Sequence, residues 1–265
     1  MTSIREKIFI LKKAKSIFQN WMVYPFSYYN LIRSNLIVFK TRSGRIIKIR
    51  KNSTDLMALT HVWLIEEYAK PGFSIKPNDI VVDVGAHIGL FTIYASQFCT
   101  NGKIYSFEPI KENYELLLEN IKSNNLKHVV PFNIAVSKSD KFLKLYLNED
   151  ESGHSMFTES ALSIHVESTT LQKFFDDKNI EHCNFLKLDC EGAEYEIIKN
   201  LPSEYFKKID KMVIEYHMAD SSPELLAELK TILTNEKFDI DIKPLFPDIG
   251  FLYAVKLNSL DNSQS

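Results

Sequence analysis

The 265-residue chain has no stretch approaching the eighteen or more uninterrupted apolar residues of a membrane-spanning helix. Its N-terminus also lacks the short apolar segment and small-residue cleavage site of a signal peptide, so a cytoplasmic protein is expected. Cysteine is scarce: Cys99, Cys183 and Cys190 have no metal-ligand spacing and cannot all pair, which argues against a disulfide scaffold and fits a reducing compartment. Internal repeats are absent, which excludes solenoids and propellers. Charge imbalance is nearly absent overall, at -2, yet it is unevenly placed. The first fifty residues carry Arg5, Lys7, Lys12, Lys13, Lys15, Arg33, Lys40, Arg42, Arg45, Lys48 and Arg50 against the single acid Glu6, leaving the remainder acidic.

With 45% hydrophobic residues the chain can bury one large core, alone or with an N-terminal appendage. Residues 4–24 mix lysines with Ile8, Phe9, Leu11, Ile17, Phe18, Trp21 and Met22 at near-helical spacing before Pro25 interrupts them. Such a segment packs its apolar side on the main domain or a second subunit, or lies on an anionic membrane surface as a peripheral contact. Leu36 to Lys40 and Arg45 to Arg50 flank Ser43-Gly44 and read as a hairpin, and Asp55 to Tyr68 reads as a helix.

From about Ile75 a strand, small-residue turn and helix alternate, the mark of a doubly wound, mostly parallel α/β sheet. Strands are expected at Ile80–Val84, Lys103–Phe107, Val129–Ala135, Phe185–Leu188 and Met212–Tyr216. Helices are expected near Gly89–Cys99, Lys111–Asn124, Glu194–Asn200 and Pro223–Asn235, and Phe142–Leu147 reads as an extra strand. Asp239–Ile242 and Phe251–Leu257 have no crossover helix between them, which forces an antiparallel pair at the end of the sheet. The division expected is a basic extension over 1–74, the α/β domain over 75–258 and a disordered tail over 259–265.

The apolar run Ile80-Val81-Val82-Asp83-Val84 enters the turn Gly85-Ala86-His87-Ile88-Gly89, where a ligand must approach the backbone closely. A dinucleotide fingerprint wants glycine at 85, 87 and 90, but His87 and Leu90 stand at the last two. This turn and the terminal antiparallel pair favour S-adenosylmethionine over a nicotinamide cofactor. About twenty residues on, Glu108 ends the next strand, where a carboxylate can accept both ribose hydroxyls. Glu108→Ala is expected to weaken cofactor binding without unfolding the chain.

Together, Asp83-Val84-Gly85-Ala86-His87-Ile88-Gly89, Phe107-Glu108-Pro109, Asn133-Ile134-Ala135-Val136-Ser137 and Lys187-Leu188-Asp189-Cys190-Glu191-Gly192-Ala193-Glu194 resemble the FkbM family of methyltransferases. The resemblance runs from about Val38 to Leu257. The family more often has Asn where this chain has His87. It implies a Rossmann-like seven-stranded fold, S-adenosylmethionine held by Asp83, Gly85, Ala86, His87, Gly89, Glu108, Asn133, Ala135 and Asp189, and commonly O-methylation of sugars or secondary metabolites. Ser155 corresponds more weakly to a small polar residue near the cofactor.

A sugar hydroxyl is a poor nucleophile until its proton is removed, so a base or a metal is required. Asp189, just past the fourth strand, is the first candidate; Glu191, Glu194, Glu215 and His217 can converge with it. Asp189 could instead cap the following helix, where Glu191 and Glu194 would favour the dipole. Asp189, Glu215 and His217 would suit Mg²⁺ or Mn²⁺ better than zinc. The acceptor expected is a small molecule or glycan. Nucleic acid is not expected, because an acidic lining repels phosphates. A cofactor-binding scaffold without turnover and a nicotinamide-dependent oxidoreductase are the competing readings.

Overall fold

The computed structural model describes residues 4–147 and 162–257. The sequence readings at Ser155 and in the tail 259–265 lie outside the described residues. The chain opens with helices α1 (Ile4–Ile17) and α2 (Val23–Tyr28) and a hairpin of β1 (Leu36–Lys40) and β2 (Ile46–Arg50). Helix α3 (Asp55–Leu59) then continues as a π-helical turn over Thr60–Ile65. The sequence leads one to expect a regular helix as far as Tyr68; it stops earlier because Glu66 adopts a left-handed conformation, with φ 58°.

The α/β alternation follows as β3 (Ile80–Val84), α4 (Leu90–Ala95), β4 (Lys103–Phe107), α5 (Lys111–Ser123) and β5 (Val129–Phe132). The expected strand Val129–Ala135 is split. After Phe132, whose carbonyl accepts from the Glu108 N–H, the chain leaves the sheet and β6 (Ala135–Val136) pairs with β9 (Ser168–Thr169) instead. Between them β7 (Leu143–Leu147), the extra strand, pairs antiparallel with β8 (Leu162–Val166). Helix α6 (Leu171–Asp177) leads to β10 (Phe185–Leu188), and α7 (Ala193–Lys199) and α8 (Ser203–Phe206) lead to β11 (Lys211–Tyr216). Helix α9 (Pro223–Asn235) precedes β12 (Phe238–Pro244) and β13 (Gly250–Lys256).

The seven-stranded sheet has the order β12-β13-β11-β10-β3-β4-β5, parallel from β11 to β5, with β13 antiparallel to both its neighbours. The antiparallel ending expected from the short β12–β13 connection is present. The chain builds outward from β3 in one direction and returns through β10 in the other, so the topological switch lies between β3 and β10. Ligands of open α/β sheets bind outside the carboxyl ends at that point.

Successive strand residues serve opposite faces. Val81, Phe185, Val213 and Phe251 join one apolar cluster, while Val82, Leu186, Ile214 and Leu252 join the other, which is why these strands are predominantly apolar on both faces. The first cluster also contains Ala14, Phe18, Phe39 and Ile47, so residues 4–74 share a core with the sheet. Both open edges of the β1–β2 hairpin are closed by asparagine side chains. Asn20 pairs with Val38 and Lys40, while Asn120 of α5 and Asn124, just past its end, pair with Lys48 and Ile46. An exposed strand edge is a template for unwanted pairing, and these amides occupy it.

Candidate functional site

A cavity of about 290 Å³ opens at the carboxyl ends of β3, β4 and β10, where the topology puts the ligand crevice. Its floor is the turn after β3. Gly85 takes φ 76°, and an added Cβ would stand 1.8 Å from the Asp189 carbonyl oxygen, so the ends of β3 and β10 touch through a position that only glycine fills. Ala86 lines the floor beside it. His87, also at positive φ, lines the cavity and donates its backbone N–H to Glu108 at 2.8 Å.

Burial pushes the His87 imidazole down to about 4, so it is neutral near pH 7; Asp55 opposes the shift and Arg50 reinforces it. Its Nε2 lies 3.1 Å from the Arg50 guanidinium, which is clamped by the buried Asp55. The N-terminal segment therefore holds the ring that replaces the family's more usual Asn. Further along that segment, Met57, His61 and Tyr68 supply cavity wall, and Phe246 supplies wall from the β12–β13 loop.

Glu108 lines the cavity but is almost fully buried, and burial raises its carboxyl to about 7 despite the hydrogen bonds it accepts. It accepts from the N–H groups of His87 and Ile110. This corrects the expectation that Glu108→Ala leaves folding untouched. Alanine would strand two backbone donors, at about 1–3 kcal/mol each if they stay dry. Glu108→Ala should therefore lower the melting temperature as well as weaken cofactor binding, which thermal melts and calorimetry will read separately. An unchanged melting temperature would show that water replaces the carboxylate.

Several of the residues expected to hold the cofactor act behind the cavity. Asp83 is fully buried, with its carboxylate 2.6 Å from Thr92 Oγ1 and 3.1 Å from Lys187 Nζ. Gly89 faces Leu117 of α5. Asn133 donates to the carbonyls of Glu108 and Pro109, fixing that loop, whereas Ala135 lines the wall.

The acidic end of the cavity is built by the turn Asp189-Cys190-Glu191-Gly192, in which Glu191 and Gly192 both take positive φ before α7 starts. Asp189, Glu191 and Glu215 line the cavity; Glu194 and His217 stand behind them. Glu194 is wholly buried, accepts the Gly192 N–H at 2.8 Å and holds His217 Nδ1 at 3.0 Å. Glu194 is thus a positioning residue. His217 Nε2 then points to Glu191, 3.4 Å away, while Tyr195 donates its hydroxyl to the His217 carbonyl.

Burial disfavours charge on His217, but the hydrogen bond to Glu194 and the carboxylates of Glu194, Glu191 and Asp189 outweigh it and raise the imidazole to about 10. Burial raises Glu191 to about 7, with the imidazolium pulling downward and Asp189 and Glu194 pushing upward. Glu215 is raised well above the ordinary range, again chiefly by burial and then by Asp189. Asp189, Glu215 and His217 each offer a ligand atom within 4.8 Å of the others.

Four residues, Lys187, Tyr68, Arg50 and Asp55, were not legible as site residues in the sequence. Lys187 is buried on β10 and reaches Asp83, Asp189 at 3.4 Å and the Gly85 carbonyl at 2.8 Å, joining the two strand ends electrostatically. Its signal was a lysine inside a four-residue apolar strand. Tyr68, whose hydroxyl stands 3.5 Å from Asp189, and the Arg50–Asp55 pair come from the N-terminal segment and gave no local signal.

A family model described as "Methyltransferase FkbM domain" matches residues 83–240. Methyltransferase 1 of Beauveria bassiana is 25% identical over 190 residues, covering 63% of this chain and 75% of that protein. The 31-O-demethyl-FK506 methyltransferase FkbM of Streptomyces tacrolimicus is 22% identical over 216 residues, covering 68% and 80%. The tRNA (guanine(37)-N(1))-methyltransferase Trm5b of Methanocaldococcus jannaschii is 34% identical over 143 residues, covering 51% and 41%.

Proposed function

The chain belongs to the FkbM family of methyltransferases, and from that premise we propose that it transfers the methyl group of S-adenosylmethionine to a hydroxyl of a small molecule or glycan. The donor set suits this cofactor. Glu108 can accept from ribose hydroxyls, apolar walls at Ile110 and Val136 suit a purine, and the carboxylates of Asp189 and Glu191 suit a sulfonium cation. When bound, S-adenosylmethionine supplies an electrophilic methyl carbon whose bond to sulfur breaks as the bond to the acceptor oxygen forms.

The observation that carries the hydroxyl reading is the Glu191 carboxylate at the cavity, with a protonation midpoint near 7 and the His217 imidazolium 3.4 Å behind it. A carboxylate with that midpoint can take a hydroxyl proton at neutral pH. Glu191 receives the proton, His217 stabilises the charged form before transfer, and Asp189 with Tyr68 orients the acceptor. A nucleic-acid acceptor fits less well, because the same acidic end repels phosphates.

The atoms of Asp189, Glu215 and His217 also form an oxygen-rich set that could take Mg²⁺ or Mn²⁺. Proton removal without a metal is the preferred reading, because the Lys187 ammonium, 3.4 Å from Asp189, already supplies a cation there. Calorimetry with S-adenosylhomocysteine and NADH, followed by a screen of nucleotide sugars, oligosaccharides and hydroxylated metabolites for S-adenosylhomocysteine release, tests the proposal. Binding of NADH without S-adenosylhomocysteine would sink it. Turnover abolished by a chelator and restored by Mg²⁺ or Mn²⁺ would replace the metal-free reading.

A further inference from the structure

Helix α1 carries two apolar stripes, and the core uses one of them. Ile10, Ala14 and Ile17, at helical spacing, pack into the cluster that includes Val81 and Phe185. Ile4, Ile8 and Leu11, at positions i, i+4 and i+7, form a second stripe turned away from the first, with exposures of 78%, 48% and 37%. Phe9 is also exposed on this helix, and the neighbouring α2 region adds exposed Phe26, Tyr29 and Leu31. Lys7 ties the two helices by lying over the Tyr28 ring, 5.6 Å from its centroid.

Scattered surface apolar residues need no explanation, but this group is concentrated in one short region and surrounded by cations. Arg5, Lys7, Lys12 and Lys15 lie on α1 and Arg33 follows α2, against the single acid Glu6 over the same span. No helix among the described residues is long and apolar enough to cross a membrane. A helix with exposed apolar residues beside lysines instead matches an interface of buried acyl chains and anionic headgroups.

We propose that α1 and α2 dock this protein on an anionic lipid surface. Apolar side chains enter the headgroup boundary, and the basic residues pair with lipid phosphates. The segregation of charge orients the molecule, because the basic face is drawn to an anionic bilayer while the acidic cavity end is repelled. Helix α2 is also tied to the segment that supplies cavity wall. Tyr24 of α2 hydrogen-bonds Thr60 at 2.7 Å, next to His61 of the cavity wall. The inference stands independently of the acceptor proposed above.

Deleting residues up to Pro25 would not test this, because Ala14, Phe18 and Tyr24 belong to the shared core. Point variants at exposed positions keep the fold. The full chain should float with phosphatidylglycerol/phosphatidylcholine vesicles, ignore phosphatidylcholine alone, and be released by high salt. Removing two cations in R5Q/K12Q should weaken binding about 30-fold, from about 1 kcal/mol per basic residue. I8E/L11E should abolish flotation with the melting temperature unchanged. A wild-type chain that ignores the anionic vesicles would overturn the proposal. So would sedimentation showing a wild-type dimer that I8E/L11E converts to monomer without any vesicle binding, which would assign the face to a second copy of the chain.

Discussion

Replacing Glu191 by glutamine is expected to lower kcat by about 10²–10⁴-fold, the usual contribution of a positioned base, while the protein still folds and binds its cofactor. Glutamine keeps the shape at the mouth of the cavity and removes the proton acceptor. The pH profile distinguishes this from a general disturbance. Burial raises Glu191 to about 7, and a base works only when ionised. In the wild type kcat/KM should therefore rise with pH through about 7 and then level, since this parameter reports the free enzyme.

That limb should vanish in Glu191→Gln. In His217→Gln it should move to higher pH, because the imidazolium 3.4 Å away favours the carboxylate. Asp189→Asn should lower turnover and keep the limb but move it to lower pH, because the Asp189 charge pushes the Glu191 carboxyl upward. Should Glu191→Gln retain both its rate and its limb, the base must be sought in Asp189 or Glu215.

Gly85→Ala should be severely damaging to both fold and site. The new carbon would lie 1.8 Å from the Asp189 carbonyl oxygen, a backbone atom at the end of β10 that cannot swing aside. The left-handed backbone, with φ 76°, adds about 1–2 kcal/mol for any residue with a Cβ. Separating the ends of β3 and β10 would also break the hydrogen bond from the Asp189 N–H to the Val84 carbonyl and displace Lys187 from the Gly85 carbonyl. The expected result is loss of S-adenosylhomocysteine binding by calorimetry and a melting temperature lowered by many degrees. Wild-type affinity in this variant would mean that the turn is not the cofactor floor. Gly44→Ala is the control: Gly44 has positive φ but open space around it, so it pays the backbone strain and not the overlap.

Two of the corrections above share a cause. Glu108 and Asp83 look like free carboxylates at a strand end, but the chain uses them to satisfy its own buried donors, namely the His87 and Ile110 N–H groups for one and Thr92 and Lys187 for the other. Sequence spacing reports that an acid reaches the crevice. It does not report how many protein groups reach the acid first.

The sequence by itself determined the sheet and its order of construction. Side chains alternate across a strand, and strands covered on both faces read as mostly apolar runs, here interrupted by Asp83, Ser106 and Lys187, so Ile80–Val84, Lys103–Phe107 and Phe185–Leu188 have the boundaries their patterns predict. The glycine turn, Glu108 and the run Asp189 to Glu194 were legible for a similar reason, since chemistry at a strand end is local to a few consecutive residues. Tertiary structure alone decided which acids face the cavity. Glu191 and Glu194 are three residues apart, yet the left-handed turn at Glu191 and Gly192 sends the first to the mouth and leaves the second behind His217. It also decided that residues 4–74 complete the site, through Arg50, Asp55 and Tyr68. Contacts such as Tyr68 with Asp189, 121 residues apart, exist only once the sheet has folded, because nothing in the local sequence of either partner specifies the other.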